Sequence, residues 1–231
     1  LGKIWSPIDR NGSRRCSGVV QKSIRGAAVI SLNPADQSER DNYKLMIGSI
    51  IPRPIAFVTT LSSSGILNAA PYSYFNIVTA NPPMISISVQ RRNGERKDTA
   101  RNAVERGEFV VHISDHSIIA QINETAANLP PEESEVALTE LTPIASEKVA
   151  IPGIAEAKVR MECVLEQVIL LGGEEGSPAC DLLIGRIVYF HMDEAIYNQG
   201  YIDHGKLDPI SRLAGNTYSR LGEIFEIERP K

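Results

Sequence analysis

Residues 85–89, Ile-Ser-Ile-Ser-Val, alternate strictly between apolar and hydroxyl side chains. Successive side chains on a strand point to opposite faces, so this run puts Ile85, Ile87 and Val89 on one face and Ser86, Ser88 and Gln90 on the other. It is the clearest of a series. Residues 55–61, rich in β-branched and aromatic side chains, read as a strand, and Ser62-Ser63-Ser64-Gly65 as the hairpin turn after it. Residues 109–113 are apolar enough for a largely buried strand, and residues 159–171 and 182–192 are long β candidates. Three helices interrupt the pattern. One covers residues 41–47 and is ended by Gly48. A second covers 99–106, with Asp98 as N-cap and Gly107 at its end. A third starts near Asp115, carries Ile118, Ile119, Ile122 and Ala126 on one face, and is stopped by Pro130-Pro131. There is no βαβ rhythm and no internal repeat, which argues against a doubly wound parallel sheet. Hairpin-joined strands with a few inserted helices favour a mainly β fold closed into an antiparallel barrel.

A chain of 231 residues suits one large domain with appendages. Residues 1–30 hold six basic side chains against Asp9 alone, and Ser6-Pro7 and Asn11-Gly12-Ser13 interrupt any helix there. They are expected to form a poorly ordered basic extension, with an organellar transit remnant as the lesser alternative, ahead of a single domain over residues 31–231. The net charge of −4 provides no basic field for nucleic acid or an anionic membrane, and no apolar run is long enough to span a bilayer. Cys16, Cys163 and Cys180 are widely spaced and form no CxxC pair, which fits reduced thiols in a cytoplasmic protein.

Two segments carry candidate chemistry. Between residues 91 and 106, Arg91, Arg92, Arg96, Lys97, Arg101 and Arg106 outnumber Glu95, Asp98 and Glu105, and the run leads into a helix start. Free backbone N–H groups, the positive end of a helix and nearby cations together suit an anion such as a phosphate, with the Thr99 hydroxyl as a further donor. A solvated charge run with an ordinary aspartate cap is the alternative. Residues 68–76, Asn-Ala-Ala-Pro-Tyr-Ser-Tyr-Phe-Asn, offer small side chains that admit a flat ligand and aromatic walls at Tyr72, Tyr74 and Phe75, or else an ordinary strand with aromatic core residues. Other constellations are weaker. His112 and His116 straddle a strand-to-helix change, which disfavours a metal pair. His191 reads as a hydrogen-bonded histidine on a strand. No GxGxxG, P-loop or GxSxG occurs, leaving Rossmann cofactor binding, NTP hydrolysis and serine-hydrolase chemistry without support.

Taken in order, the segments DNYKLMIGSIIPRPIAFVTT (41–60), NAAPYSYFN (68–76), NPPMISISV (81–89), RKDTARN (96–102), GEFVVHI (107–113), LLIGRIVYFHMD (182–193) and RLAGNTYSRLGEIFEIERP (212–230) resemble the flavin-reductase-like, FMN-binding split-barrel family. The resemblance implies an antiparallel Greek-key split β-barrel that binds FMN noncovalently at a homodimer interface. On its phosphate side it implies Arg53, Ser88, Arg91, Arg92, Lys97, Asp98 and Thr99, with Asp98 orienting Lys97 or capping the helix. Ala70, Pro71, Tyr72 and Ser73 are implied along the ring, Thr59 in the same groove, and Asn216, Tyr218 and Arg220 as a C-terminal loop closing from either subunit. NAD(P)H is the implied reductant, and the implied activity is hydride transfer to bound flavin with electrons passed on. The alternative is a flavoredoxin-like electron carrier reduced by a protein partner. Short flavin reductases of the family tend to carry a histidine just before the strand motif ending in Ile-Gly. Here Cys180-Asp181 precedes Leu182-Leu183-Ile184-Gly185, which weighs toward the carrier, and Asp181 is expected to repel a nucleotide pyrophosphate.

Overall fold

The structure is a computed structural model that describes residues 20–24 and 27–230. The chain divides into two compact units, Leu1–Ser49 and Ile50–Lys231. In the first, Val20–Ile24 pairs antiparallel with Ala27–Ser31, and helix α1 spans Glu39–Ser49. The basic extension expected over residues 1–30 therefore falls largely outside the described residues, and the part inside them is a hairpin. Helix α1 begins before residue 41 because Ser38 caps it. The Ser38 hydroxyl accepts from the Asp41 N–H at 3.1 Å and donates to the Asp41 carboxylate at 2.7 Å. Gly48 does not end the helix, which runs on to Ser49.

The second unit is built on one seven-stranded antiparallel sheet. Numbered in chain order, its strands are β1 (Ala56–Leu61), β2 (Leu67–Tyr72), β3 (Phe75–Ala80), β4 (Pro83–Gln90), β5 (Glu108–Ile113), β6 (Val159–Leu171) and β7 (Cys180–Met192). They lie in the order β2-β1-β5-β6-β7-β4-β3. The two edge strands, β2 and β3, are consecutive in the chain and separated only by Ser73 and Tyr74. A flat sheet of this size would be about 29 Å wide, whereas the three peptide steps from Tyr72 to Phe75 reach at most about 11 Å. The sheet must therefore curl until its edges meet at this corner, and the two edge strands do not pair with each other. The mainly β split barrel expected from the sequence is what the chain forms.

The alternation at residues 85–89 holds: Ile85, Ile87 and Val89 are buried on the barrel face. Helix α2 (Asp98–Arg106) covers this cluster with Ala100 and Ala103, beside Phe109 and Leu183. Strand β5 is buried on both faces, from Phe109 through His112. Gly185 of β7 is required by packing, since a Cβ there would lie 2.3 Å from Phe109 Cζ. Helix α3 is shorter than expected, Ile119–Glu124, because Asp115 accepts the Ser117 N–H at 2.8 Å and forms a turn in front of it. Its Ile118 and Ile122 do face a core, with Phe57, Ala69 and Ile154.

Candidate functional site

Lys97, not Asp98, is the N-cap of α2, and no side chain caps that end. The first intrahelical bond runs from the Arg101 N–H to the Lys97 carbonyl at 3.0 Å, so the N–H groups of Asp98, Thr99 and Ala100 precede it. This end opens into a cavity of about 370 Å³. One wall is Asn68, Ala70, Pro71 and Tyr72 of β2. The helix start and the loop before it form the second, with Arg92, Glu95, Arg96, Lys97 and Arg101, and residues 125–135 close the third.

The expected phosphate-side cations separate sharply. Arg91 grips Asp181 with two bonds of 2.9 and 2.8 Å, Arg96 adds a third at 2.9 Å, and Asp181 is fully buried. Burial alone would raise the Asp181 carboxyl, but the two guanidinium groups more than offset it and hold the group low. Asp181 is thus a neutralised internal anchor for the 91–97 loop, not the source of repulsion that the sequence suggested. Arg92 donates to Asn128 at 2.9 Å. Arg101 pairs with Asp98, which is therefore engaged by Arg101 and does not orient Lys97. Lys97 is exposed, and its side chain makes no ion pair or hydrogen bond with any described residue. Arg53 lies apart from the cavity, buried, donating to the carbonyls of Ile50 at 2.6 Å and Leu213 at 2.8 Å and to Ser73 at 3.4 Å. Ser88 accepts from Gln90 at 3.1 Å and does not line the cavity.

On the ring side, Ala70, Pro71 and Tyr72 line the cavity, while Ser73 sits at the barrel corner beside Arg53. Burial pushes the Tyr72 phenol up to about 12, against a lowering contact with Thr99. Thr59 does not reach the groove: it is fully buried and donates to the Pro152 carbonyl at 2.7 Å. Strand β2 is a sheet edge, and its outward groups are met from residues 134–135. Ser134 donates to the Leu67 carbonyl, and the Ala69 N–H donates to Glu135 at 3.1 Å. Pro71, next on that side, has no N–H to leave unpaired. Asn216, Tyr218 and Arg220 lie away from this cavity. Tyr218 and Arg220 line a separate cavity with His116, Asn123 and Ile210. Tyr218 donates to Asn123 at 3.1 Å, and Arg220 holds Asp208 at 2.9 and 2.6 Å.

Asn68, the first residue of the small-residue segment, and Glu135, which the sequence did not single out, complete the site. Buried Asn68 donates its amide to both Glu135 oxygens, at 2.9 and 3.0 Å, and its carbonyl accepts from Thr99 at 2.8 Å and Thr60 at 3.2 Å. Burial raises the Glu135 carboxyl. Glu135 lies 67 positions from Asn68, and no local pattern marks it. The histidines have structural roles. His112 is buried between the Phe57 carbonyl and the Ile154 N–H, each at 2.8 Å, and burial lowers it to about 4. His191 bonds Glu162 at 2.6 Å. Burial alone would raise Glu162, but three backbone N–H groups and His191 more than offset it.

Residues 47–210 match the family model described as the flavin reductase like domain. An uncharacterized protein of Bacillus subtilis is 58% identical over 199 residues, covering 85% of this chain and 97% of that protein. Among solved structures, nitrilotriacetate monooxygenase component B from Bacillus cereus is 66% identical with a TM-score of 0.86, over 87% of this chain and 100% of that one. The 2-nitrobenzoate 2-nitroreductase of Pseudomonas fluorescens is 31% identical with a TM-score of 0.73, over 87% of this chain and 96% of that one.

Proposed function

The chain belongs to the flavin reductase-like family, and from that premise we propose that it is an FMN-binding oxidoreductase that takes hydride from NAD(P)H and passes the electrons to a separate acceptor. The observation that carries the reading is the Lys97 side chain, unpaired among the described residues, at a helix start that no described side chain caps, lining the same cavity as the small-residue edge Ala70-Pro71. Free N–H groups and an unneutralised ammonium suit the phosphate end of FMN, and a flat edge strand suits its ring. When bound, FMN supplies the hydride-accepting and electron-transferring chemistry; the protein contributes binding, orientation and exclusion of water. Arg92, held on the neutral Asn128 amide, adds positive field beside Lys97, while Arg101 is neutralised by Asp98. Arg91 and Arg96, anchored on Asp181, hold the loop that carries it. Tyr72, with its phenol kept protonated, forms an uncharged wall.

A homodimer is part of the proposal. Ile77 and Val78 of edge strand β3 are exposed, as are Ile224, Phe225 and Ile227 near the C-terminus, and such apolar surface favours a second copy. Asn216, Tyr218 and Arg220 would reach a cofactor only from that copy. The likeness to a protein named as one component of a monooxygenase favours a protein or flavin acceptor over a self-contained reaction. An electron carrier without reductase turnover is the second reading, favoured by Cys180-Asp181 in place of the family histidine. Cytoplasmic placement is supported by the unpaired thiols of Cys163 and Cys180. Among the described residues no helix is long and apolar enough to cross a membrane.

The test is fluorescence titration of the purified apoprotein with FMN and riboflavin, followed by stopped-flow mixing of the loaded protein with NADH and NADPH. FMN binding tighter than riboflavin, with bleaching by either nucleotide, is expected. Absence of flavin binding would overturn the cofactor assignment, and binding without bleaching would select the carrier.

A further inference from the structure

From the geometry we infer that Glu135 is a positioning residue for the ligand cavity, acting through Asn68 to lock the start of α2 against the edge strand that carries Ala70, Pro71 and Tyr72. The inference rests on the flavin reading of that cavity. An amide side chain can be turned end for end, so its orientation needs a cause. Here the cause is Glu135. The Glu135 carboxylate takes N–H donors on both oxygens, from Asn68 at 2.9 and 3.0 Å and from Ala69 at 3.1 Å, so it acts as an acceptor and the Asn68 amide nitrogen faces it. The Asn68 carbonyl is thereby turned toward Thr60 and Thr99, and both hydroxyls donate to it. The Asn102 amide donates in turn to the Thr60 hydroxyl at 3.2 Å. The direction of these bonds follows from the one carboxylate.

The same carboxylate accepts the outward Ala69 N–H, so a single group from residue 135 fixes a side chain, the strand's backbone and, through Thr99, the first turn of α2. Thr99 is buried, and its hydroxyl is engaged inside the network by Asn68 at 2.8 Å. Its contribution is to hold in place the helix start whose N–H groups open into the cavity. A buried network of this kind couples the segments it joins, and removing one member leaves buried partners unpaired at a cost to the whole.

The test is Glu135→Gln, alone and combined with Asn68→Asp, with FMN and riboflavin affinities read by flavin fluorescence and apoprotein melting read in parallel. Glutamine brings a second N–H group among donors, so the single variant should bind both flavins about tenfold more weakly. Asn68→Asp alone sets two carboxylates against each other and should be worse. In the double variant the exchanged pair accepts from Thr60, Thr99 and Ala69 again, and affinity for both ligands should recover to within about threefold of wild type. Unchanged affinity in Glu135→Gln overturns the inference even if melting drops, because the residue would then be structural only. A loss confined to FMN also overturns it, since that would be a charge effect on the phosphate. If Glu135→Gln does not fold, Thr99→Val cuts the same chain of bonds at its other end; undiminished binding of both flavins by that variant overturns the inference. Failure of wild-type protein to bind either flavin would overturn the cofactor reading itself and the inference with it.

Discussion

Replacing Lys97 with alanine isolates the phosphate contact from everything else in the cavity. Lys97 is exposed, caps α2 without a side-chain bond, and has no carboxylate partner among the described residues, so its removal breaks no ion pair between them. Arg91 and Arg96 stay on Asp181, Arg101 on Asp98, and Arg92 on Asn128. A charge-assisted contact contributes about 1.5–3 kcal/mol, and screening at an exposed site argues for the lower end. FMN affinity should therefore fall about tenfold, equivalent to about 1.4 kcal/mol. Riboflavin lacks the phosphate and should bind the variant and the wild type equally. Fluorescence quenching titrations with both ligands, at low and high salt, measure this directly. The gap between wild type and variant should narrow as salt rises. Equal losses for FMN and riboflavin would refute the reasoning, because Lys97 would then act on the ring or on the fold. So would an FMN affinity that does not change at all.

Two further expectations concern the scaffold. His112 titrates near 4 in the folded protein against an ordinary 6.5, so between those values the unfolded chain binds the additional proton. Stability should be fully present above about pH 6.5 and fall by about 3 kcal/mol as pH drops toward 4. Urea unfolding across that window, compared with His112→Asn, reads this share; identical pH profiles for the two proteins would rule it out. Gly185→Ala drives a methyl group into the Phe109 ring, 2.3 Å from Cζ, and should cost about 1–3 kcal/mol. Thermal melting checks it, and a melt unchanged from wild type would show that Phe109 moves aside freely.

The strands were legible in the sequence because alternation and burial are local consequences of the pleat: Ile85, Ile87 and Val89 declare their face without reference to any other segment. The same holds for the helix end at Gly107, whose left-handed backbone glycine accommodates without a Cβ. A closed antiparallel barrel was legible in the hairpin pattern, its split Greek-key form only through the resemblance, and the loop at residues 91–99 was visible as a concentration of cations before a helix. What the sequence could not assign was the role of each cation. Arg91, Arg96 and Lys97 look equivalent in a charge count, yet two are bound to a carboxylate some 85–90 positions away and one is not. Likewise Thr59 resembles a groove hydroxyl until Pro152 is seen to accept from it. Glu135 looks like an ordinary acid after two prolines until it meets Asn68. Pairing of charges and hydrogen bonds depends on distances of a few ångströms between segments remote in the chain. Only the tertiary structure sets those distances, and with them which polar groups remain available to a ligand.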